Sequence, residues 1–298
     1  MRRITITLVL TLLAGLTVGT ASSQAAAKRV VALEWDAVEN LSAVGITPIG
    51  IADSRGYDAF VGAPRRKGSA EVGLRSAPSL ERIRRLKPDL IVVPDYRSTK
   101  NRDALKKIAP VLVTSPYRGS GNAAHFNNMV RDFRRVAKAV GRSSQGERVL
   151  RAMTGKFAAQ KAALRQKRRA GTGVVVAEPG GTTSTPALRL MTNNSLTAEV
   201  LRRIGLRNAW TGPNAFYGFT TSSIGSLAKI RGNEWLAFVY PEQYRSQIQK
   251  YRELKAFAKL PVVRSRHYRN LQGRTWLYGG PVSTGQIADQ LGAAIRRG

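Results

Sequence analysis

EVGLRSAPSLERIRRLKPDLIVV, residues 71–93, decides the fold class of this chain. Pro78 suits the first turn of a helix, and Leu80, Ile83 and Leu86 share one face of it. Pro88 stops that helix. The run Leu90–Val93 that follows is apolar without alternation, the pattern of a parallel strand buried on both sides. Arg75 therefore falls at the mouth of a strand–helix–strand unit, where a guanidinium needs a reason.

The same alternation extends in both directions. RVVAL (29–33) reads as a strand, EWDAVENLSAVG (34–45) as a helix ended by Gly45, and TPIGI (47–51) as a second strand. Residues 53–74 are polar and irregular. KNRDALKKIAP (100–110) is the next helix and VLVT (111–114) the next strand. A helix over 123–141 closes at Gly141. Ser144-Gln145-Gly146-Glu147 then has the form of a capping box for a helix reaching about Arg169, about 37 Å at the normal rise. The second half restarts at GTGVVVAE (171–178). Helices are expected at 194–204, 223–231, 242–258 and 283–297, strands at WLAFVY (235–240) and RTWLY (274–278), and turns at the Gly-rich 171–173 and 180–185. The expected architecture is α/β: two Rossmann-like lobes joined by a single long helix, with a ligand cleft between them. The boundaries are 1–27 for a signal peptide, 28–142 for the first lobe, 143–169 for the connecting helix and 170–298 for the second lobe.

The opening MRRITITLVLTLLAGLTVGTASSQAAAKRV has two arginines, a short apolar run and small residues before Lys28, the layout of a cleaved secretory signal. The 298 residues contain no cysteine, which excludes disulfides, thiolate metal sites and a lipid-modified Cys within them. A protein free in a periplasm, without a lipid anchor, is the expectation. The formal net charge of +31 raises the question of a polyanionic partner. Its basic residues are spread along the chain without a nucleic-acid-binding signature, so no nucleic acid is expected.

Reaction chemistry is absent from the sequence. His125 and His267 are the only two histidines, and no HExxH, nucleophile elbow or P-loop occurs. Binding fits the chain better than catalysis.

RVVALEWDAVENLSAVGITPIGIADSRGY, the stretch quoted first, NSLTAEVLRRIGLRNAW and WLYGGPVS together resemble the class III periplasmic binding proteins of ABC importers. The likeness is nearest to their ferric hydroxamate-binding, FhuD-type branch and covers essentially the whole chain after the signal. LKPDLIVV is common to the class, whereas ALEW, GLR and W-x-YG are more particular to that branch. The resemblance implies a carrier that captures a ferric siderophore and hands it to an inner-membrane ABC permease, as a monomer. It implies no cofactor, because iron arrives already chelated. It places the hydroxamate-contacting arginine at Arg75 and, with one gap nearby, a tyrosine at Tyr96. Trp35 matches the tryptophan of ALEW and reads equally well as a core residue. Tyr217 in NAFYG stands where the branch often has a cleft tryptophan, and Trp276 and Tyr278 match the W-x-YG aromatics. Importers of this class dock through one acid on each lobe. Asp103 aligns with the first, but Gly225 occupies the second position, leaving another acid such as Glu234 to substitute.

Such residue types suit a ferric trihydroxamate. Its core is neutral, its oxygens carry partial negative charge that a guanidinium fork can meet, and aromatic faces cover its apolar backbone. The arginines also admit another cargo, a ferric carboxylate or catecholate, haem or a corrinoid. An exported enzyme or a polyanion-binding protein is a more distant reading.

Overall fold

The structure is a computed structural model that describes residues 26–181 and 186–297. The expected signal peptide lies outside the described residues except for its last two. Of these, Ala27 donates its N–H to the carbonyl of Ala139.

Five parallel strands, β1 (Val30–Ala32), β2 (Gly50–Ile51), β3 (Ala70–Glu71), β4 (Leu90–Pro94) and β5 (Val111–Thr114), make the first sheet, in the order β3-β2-β1-β4-β5. Chain order therefore reverses between β1 and β4. The second sheet holds β6 (Gly173–Gly181), β7 (Pro186–Met191), β8 (Phe219–Ser222), β9 (Trp235–Phe238) and β10 (Tyr268–Asn270), in the order β8-β7-β6-β9-β10, with the two-residue strand Arg207–Asn208 paired in parallel to the start of β6. It is parallel on the β9 side and antiparallel on the β7 side. The α/β class is as the sequence implied.

Alternation along the strands divides the apolar residues into three clusters. Val30, Ala32, Leu90 and Val92 face a central cluster, and Val31, Leu33, Ile91 and Val93 face an outer one under Ile83 and Leu105. In β6, Val174 and Val176 point to the same central cluster, while Val175 and Ala177 point to the second lobe's outer cluster around Leu188 and Phe238. The two sheets thus share one hydrophobic core below the cleft.

The helices that matter for the site are α1 (Trp35–Ala43), α2 (Ala124–Ala139), α3 (Ser143–Gln166), α4 (Leu196–Arg203) and α5 (Pro281–Arg296). The 24-residue α3 links the sheets and spans about 36 Å. Its expected capping box does not form. The helix starts earlier, at Ser143, with Arg142 as an N-cap that makes no side-chain bond, and Glu147 bridges to Arg134 of α2 at 2.7 Å.

A carboxylate ties the lobes together. Glu39 of α1, 1% exposed, accepts the N–H of Ser283 at 2.8 Å and its hydroxyl at 2.7 Å, so an acid from one lobe caps the N-terminus of the last helix of the other. Glycines permit this approach. A Cβ at Gly279 would lie 2.5 Å from Glu39 Oε2, and one at Gly280 would lie 2.2 Å from Asn40 Oδ1.

Three expectations need correction. Residues 274–278 form no strand: the parallel edge of β9 is taken by Tyr268–Asn270, and Thr275 turns back to bond Gln272. The helix expected over 223–231 is a 3-10 segment, Ile224–Lys229. The one expected over 242–258 breaks at Leu254, whose backbone is extended. Four strands, β3, β7, β8 and β10, were not foreseen.

Candidate binding cleft

In open α/β sheets the crevice opens at the carboxyl ends of strands where chain order reverses. Here β1 delivers Glu34, β4 delivers Tyr96 and Arg97, and β5 delivers Pro116 and Tyr117. All five line one hollow of about 270 Å³. An adjoining hollow of about 380 Å³ shares Arg75, Arg189 and Trp276 with it.

Glu34 organises the first wall. It is the N-cap of α1, 4% exposed, and accepts from Arg75 Nη1 at 2.6 Å, from the Tyr96 hydroxyl at 2.9 Å and from Arg97 Nε. Burial alone would raise its pKa, but the charges of Arg75 and Arg97 outweigh burial and hold it below the ordinary value. Arg75 is clamped further. Its Nε lies 3.3 Å from Asp53 Oδ2, and its guanidinium carbon sits 3.4 Å from the centre of the Trp35 ring. Nη2 of Arg75 makes no hydrogen bond among the described residues, leaving one edge of the fork for a ligand.

The opposite wall belongs to the second lobe. Glu178 on β6 and Arg189 on β7 are register partners, joined by a 3.0 Å bridge, and the Tyr278 hydroxyl donates to the same carboxylate. Burial pushes the Glu178 pKa up against both contacts. Between the walls runs a continuous file of rings. Trp35 meets Trp276 at 5.0 Å, Trp276 meets Tyr278 at 5.1 Å, and Tyr278 meets Phe219 at 6.0 Å. Phe219 then stacks on Tyr217, Tyr217 touches Tyr117, and Tyr117 touches Tyr96.

Arg75, Tyr96, Tyr217, Trp276 and Tyr278 are thus brought to one hollow. Trp35 is different. It is 3% exposed, its Nε1 donates to the Asp53 carbonyl, and it serves as the platform under Arg75. Sequence reasoning missed Glu34, Asp36, Arg97, Tyr117, Glu178, Arg189 and Phe219. Their signal was positional, since Glu34, Arg97 and Glu178 stand at or just beyond the ends of buried apolar strand runs.

Asp36 also lines this hollow, and burial pushes its pKa up to about 8, reinforced by the charges of Glu34, Asp132 and Glu39. Among the described residues, no group of three or more His, Asp or Glu side chains is placed to hold a metal ion. Likewise no helix among them is long and apolar enough to cross a membrane.

Outside the cleft, Asp103 is fully presented to solvent with Lys106 Nζ 3.7 Å away. Glu234 cannot stand in for a second docking acid. It is 5% exposed and held by Arg207 and by the N–H of Arg231.

Similarity to known proteins agrees with this geometry. The family described as periplasmic binding protein matches residues 30–260. The chain is 35% identical to the putative ABC transporter substrate-binding lipoprotein YhfQ of Bacillus subtilis over 61% of its own length and only 54% of that relative's. It is 27% identical to the iron(3+)-hydroxamate-binding protein FhuD of Escherichia coli, covering 90% of this chain and 86% of that one. It is equally 27% identical to the Fe(3+) dicitrate-binding periplasmic protein FecB of Escherichia coli, over 87% and 81%. The fold matches the crystal structure of the siderophore-binding protein FhuD from Vibrio cholerae with a TM-score of 0.82 at 24% identity, covering 90% of this chain and 98% of that one. With a family match over most of its length, and lobes, cleft and topology to suit, the chain belongs to the periplasmic binding protein family.

Proposed function

We propose that the chain captures a ferric hydroxamate siderophore in the periplasm and delivers it, as a monomer, to an inner-membrane ABC permease. The observation that carries this reading is the charge balance of the cleft. Arg75 and Arg97 are matched by Glu34 and Asp53, and Arg189 by Glu178. A pocket with its guanidiniums neutralised suits a chelate with no net charge. The free edge of Arg75 can still donate to hydroxamate oxygens, at about 1.5–3 kcal/mol for a desolvated charge-assisted bond. The file of rings supplies apolar area for the siderophore backbone at about 25 cal/mol per Å². The iron needs no protein ligand. Asp103, exposed on the first lobe, is the docking acid in this reading.

A second reading, an anionic chelate such as ferric dicitrate, is favoured by the three arginines in the cleft and opposed by their carboxylate partners. Quenching of intrinsic tryptophan fluorescence separates the two. Ferrichrome and ferrioxamine should quench Trp276 at low concentration, whereas ferric citrate and cyanocobalamin should not. Saturable quenching by ferric citrate alone would replace the first reading with the second.

A further inference from the structure

Below the cleft floor lies a narrow slot of about 20 Å³, room for one water-sized group. It is bordered by Asp36 and Asn40 of α1, by His125 and Ser195, and by apolar side chains such as Met129 and Leu196. Asp36 borders both the slot and the cleft, so the two spaces adjoin at its carboxyl.

The two α1 groups share a deficiency. Asp36 is the cleft carboxylate with no cation beside it among the described residues: it accepts only the N–H of Ala37, and its charged neighbours are the acids Glu34, Asp132 and Glu39. Asn40 is 3% exposed, and its Oδ1, beside Gly280, accepts no hydrogen bond. Asp132, which also borders the slot, is by contrast matched by Arg131 and Arg135. A buried acceptor without a partner costs stability, and Asn40 Oδ1, beside a carboxyl that has no cation of its own, calls for a donor.

We propose that this slot receives a primary ammonium group carried on an aliphatic arm of the chelate, with Asp36 as counter-ion and Asn40 Oδ1 as second acceptor. An ammonium brings three N–H donors and one positive charge, which favours the ionised form of Asp36 beside it. A guanidinium is too broad for such a slot. The methylenes that lead to the nitrogen lie in the adjoining cleft, which meets the slot at Asp36. The inference rests on the hydroxamate reading and narrows it to siderophores with an amine-ended arm.

Ferrioxamine B, whose chain ends in a primary amine, and its N-acetyl derivative carry the same iron core and test the slot directly. The wild-type protein should bind the amine form at least about tenfold more tightly, a difference of about 1.4 kcal/mol. Asp36→Asn should reduce that ratio to less than about twofold while the N-acetyl form still gives saturable quenching. Asn40→Ala should also reduce the ratio, which keeps a test in hand if Asp36→Asn fails to fold. Equal affinities in the wild type, or a preference that survives Asp36→Asn, would overturn the ammonium site and leave the hydroxamate reading standing. No quenching by either form or by ferrichrome would sink that reading, and the slot's assignment with it.

Discussion

Glu34 Oε1 lies 2.6 Å from Arg75 Nη1, so the guanidinium at the mouth of the cleft is neutralised before any ligand arrives. Arg97 meets the other oxygen of the same carboxylate. One buried acid thus holds two cations in place and sets the charge that an incoming chelate meets.

Removing that acid should change selectivity. Glu34→Gln leaves Arg97 without its counter-charge and Arg75 with Asp53 alone, and affinity for anionic ferric citrate should rise relative to neutral ferrichrome. Arg75→Ala should weaken ferrichrome by at least about tenfold. Paired fluorescence titrations measure both, and an unchanged citrate-to-ferrichrome ratio in Glu34→Gln would refute the role given to charge balance.

Two aromatic residues should separate binding from folding. Tyr217 is 44% exposed, so Tyr217→Ala should lower ligand affinity and leave stability within about 0.5 kcal/mol. Trp35 is buried under Arg75, and Trp35→Ala should cost about 3–5 kcal/mol of stability. Urea unfolding midpoints beside ligand titrations check the contrast.

The pH dependence of stability should expose Asp36. Its folded pKa of about 8 stands above the ordinary carboxylate value, so its contribution is fully present in acid and is lost as pH rises towards 8. The groups whose charges act on it are Glu34, Glu39 and Asp132, all acidic. His125 acts in a lower window. Burial depresses its pKa to about 4, so its contribution is lost as pH falls from about 6.5 to 4. Between pH 6.5 and 9 the melting temperature of the wild type should therefore fall more steeply than that of Asp36→Asn. Parallel curves would contradict the assignment.

The Glu39 clasp should govern how firmly the lobes are joined. Glu39→Ala strands the N–H and hydroxyl of Ser283 in a buried site and should cost about 2–4 kcal/mol, read as a lower unfolding midpoint. With the shared central core also intact in the wild type, ligand should change the radius of gyration little. Scattering curves with and without ferrichrome test that.

Docking should depend on Asp103 without affecting capture. Asp103→Lys reverses an exposed charge remote from the cleft. Chelate affinity should stay the same while uptake of radiolabelled iron into cells falls. Unimpaired uptake would remove Asp103 from the permease contact.

The strands that build the switch point were legible because buried parallel strands write themselves as unbroken apolar runs, as Leu90–Val93 and Val174–Val176 do. Arg75, Tyr96, Tyr217, Trp276 and Tyr278 were legible through motifs. β7 and β8 were not, because β7 buries Leu188 and Leu190 between residues that break the apolar run, and β8 buries none of its residues.

The sequence alone determined the α/β class, the long linking helix and the aromatic and guanidinium character of the site, since these follow from local periodicity and residue type. Only the tertiary structure decided which acids neutralise which arginines, that Trp35 carries Arg75 on its ring face, and that Asp36 and Asn40 border one slot. Those are through-space relations between residues distant along the chain. Glu34 and Arg97 are 63 positions apart and Glu39 and Ser283 are 244, separations over which spacing in the sequence carries no information about contact.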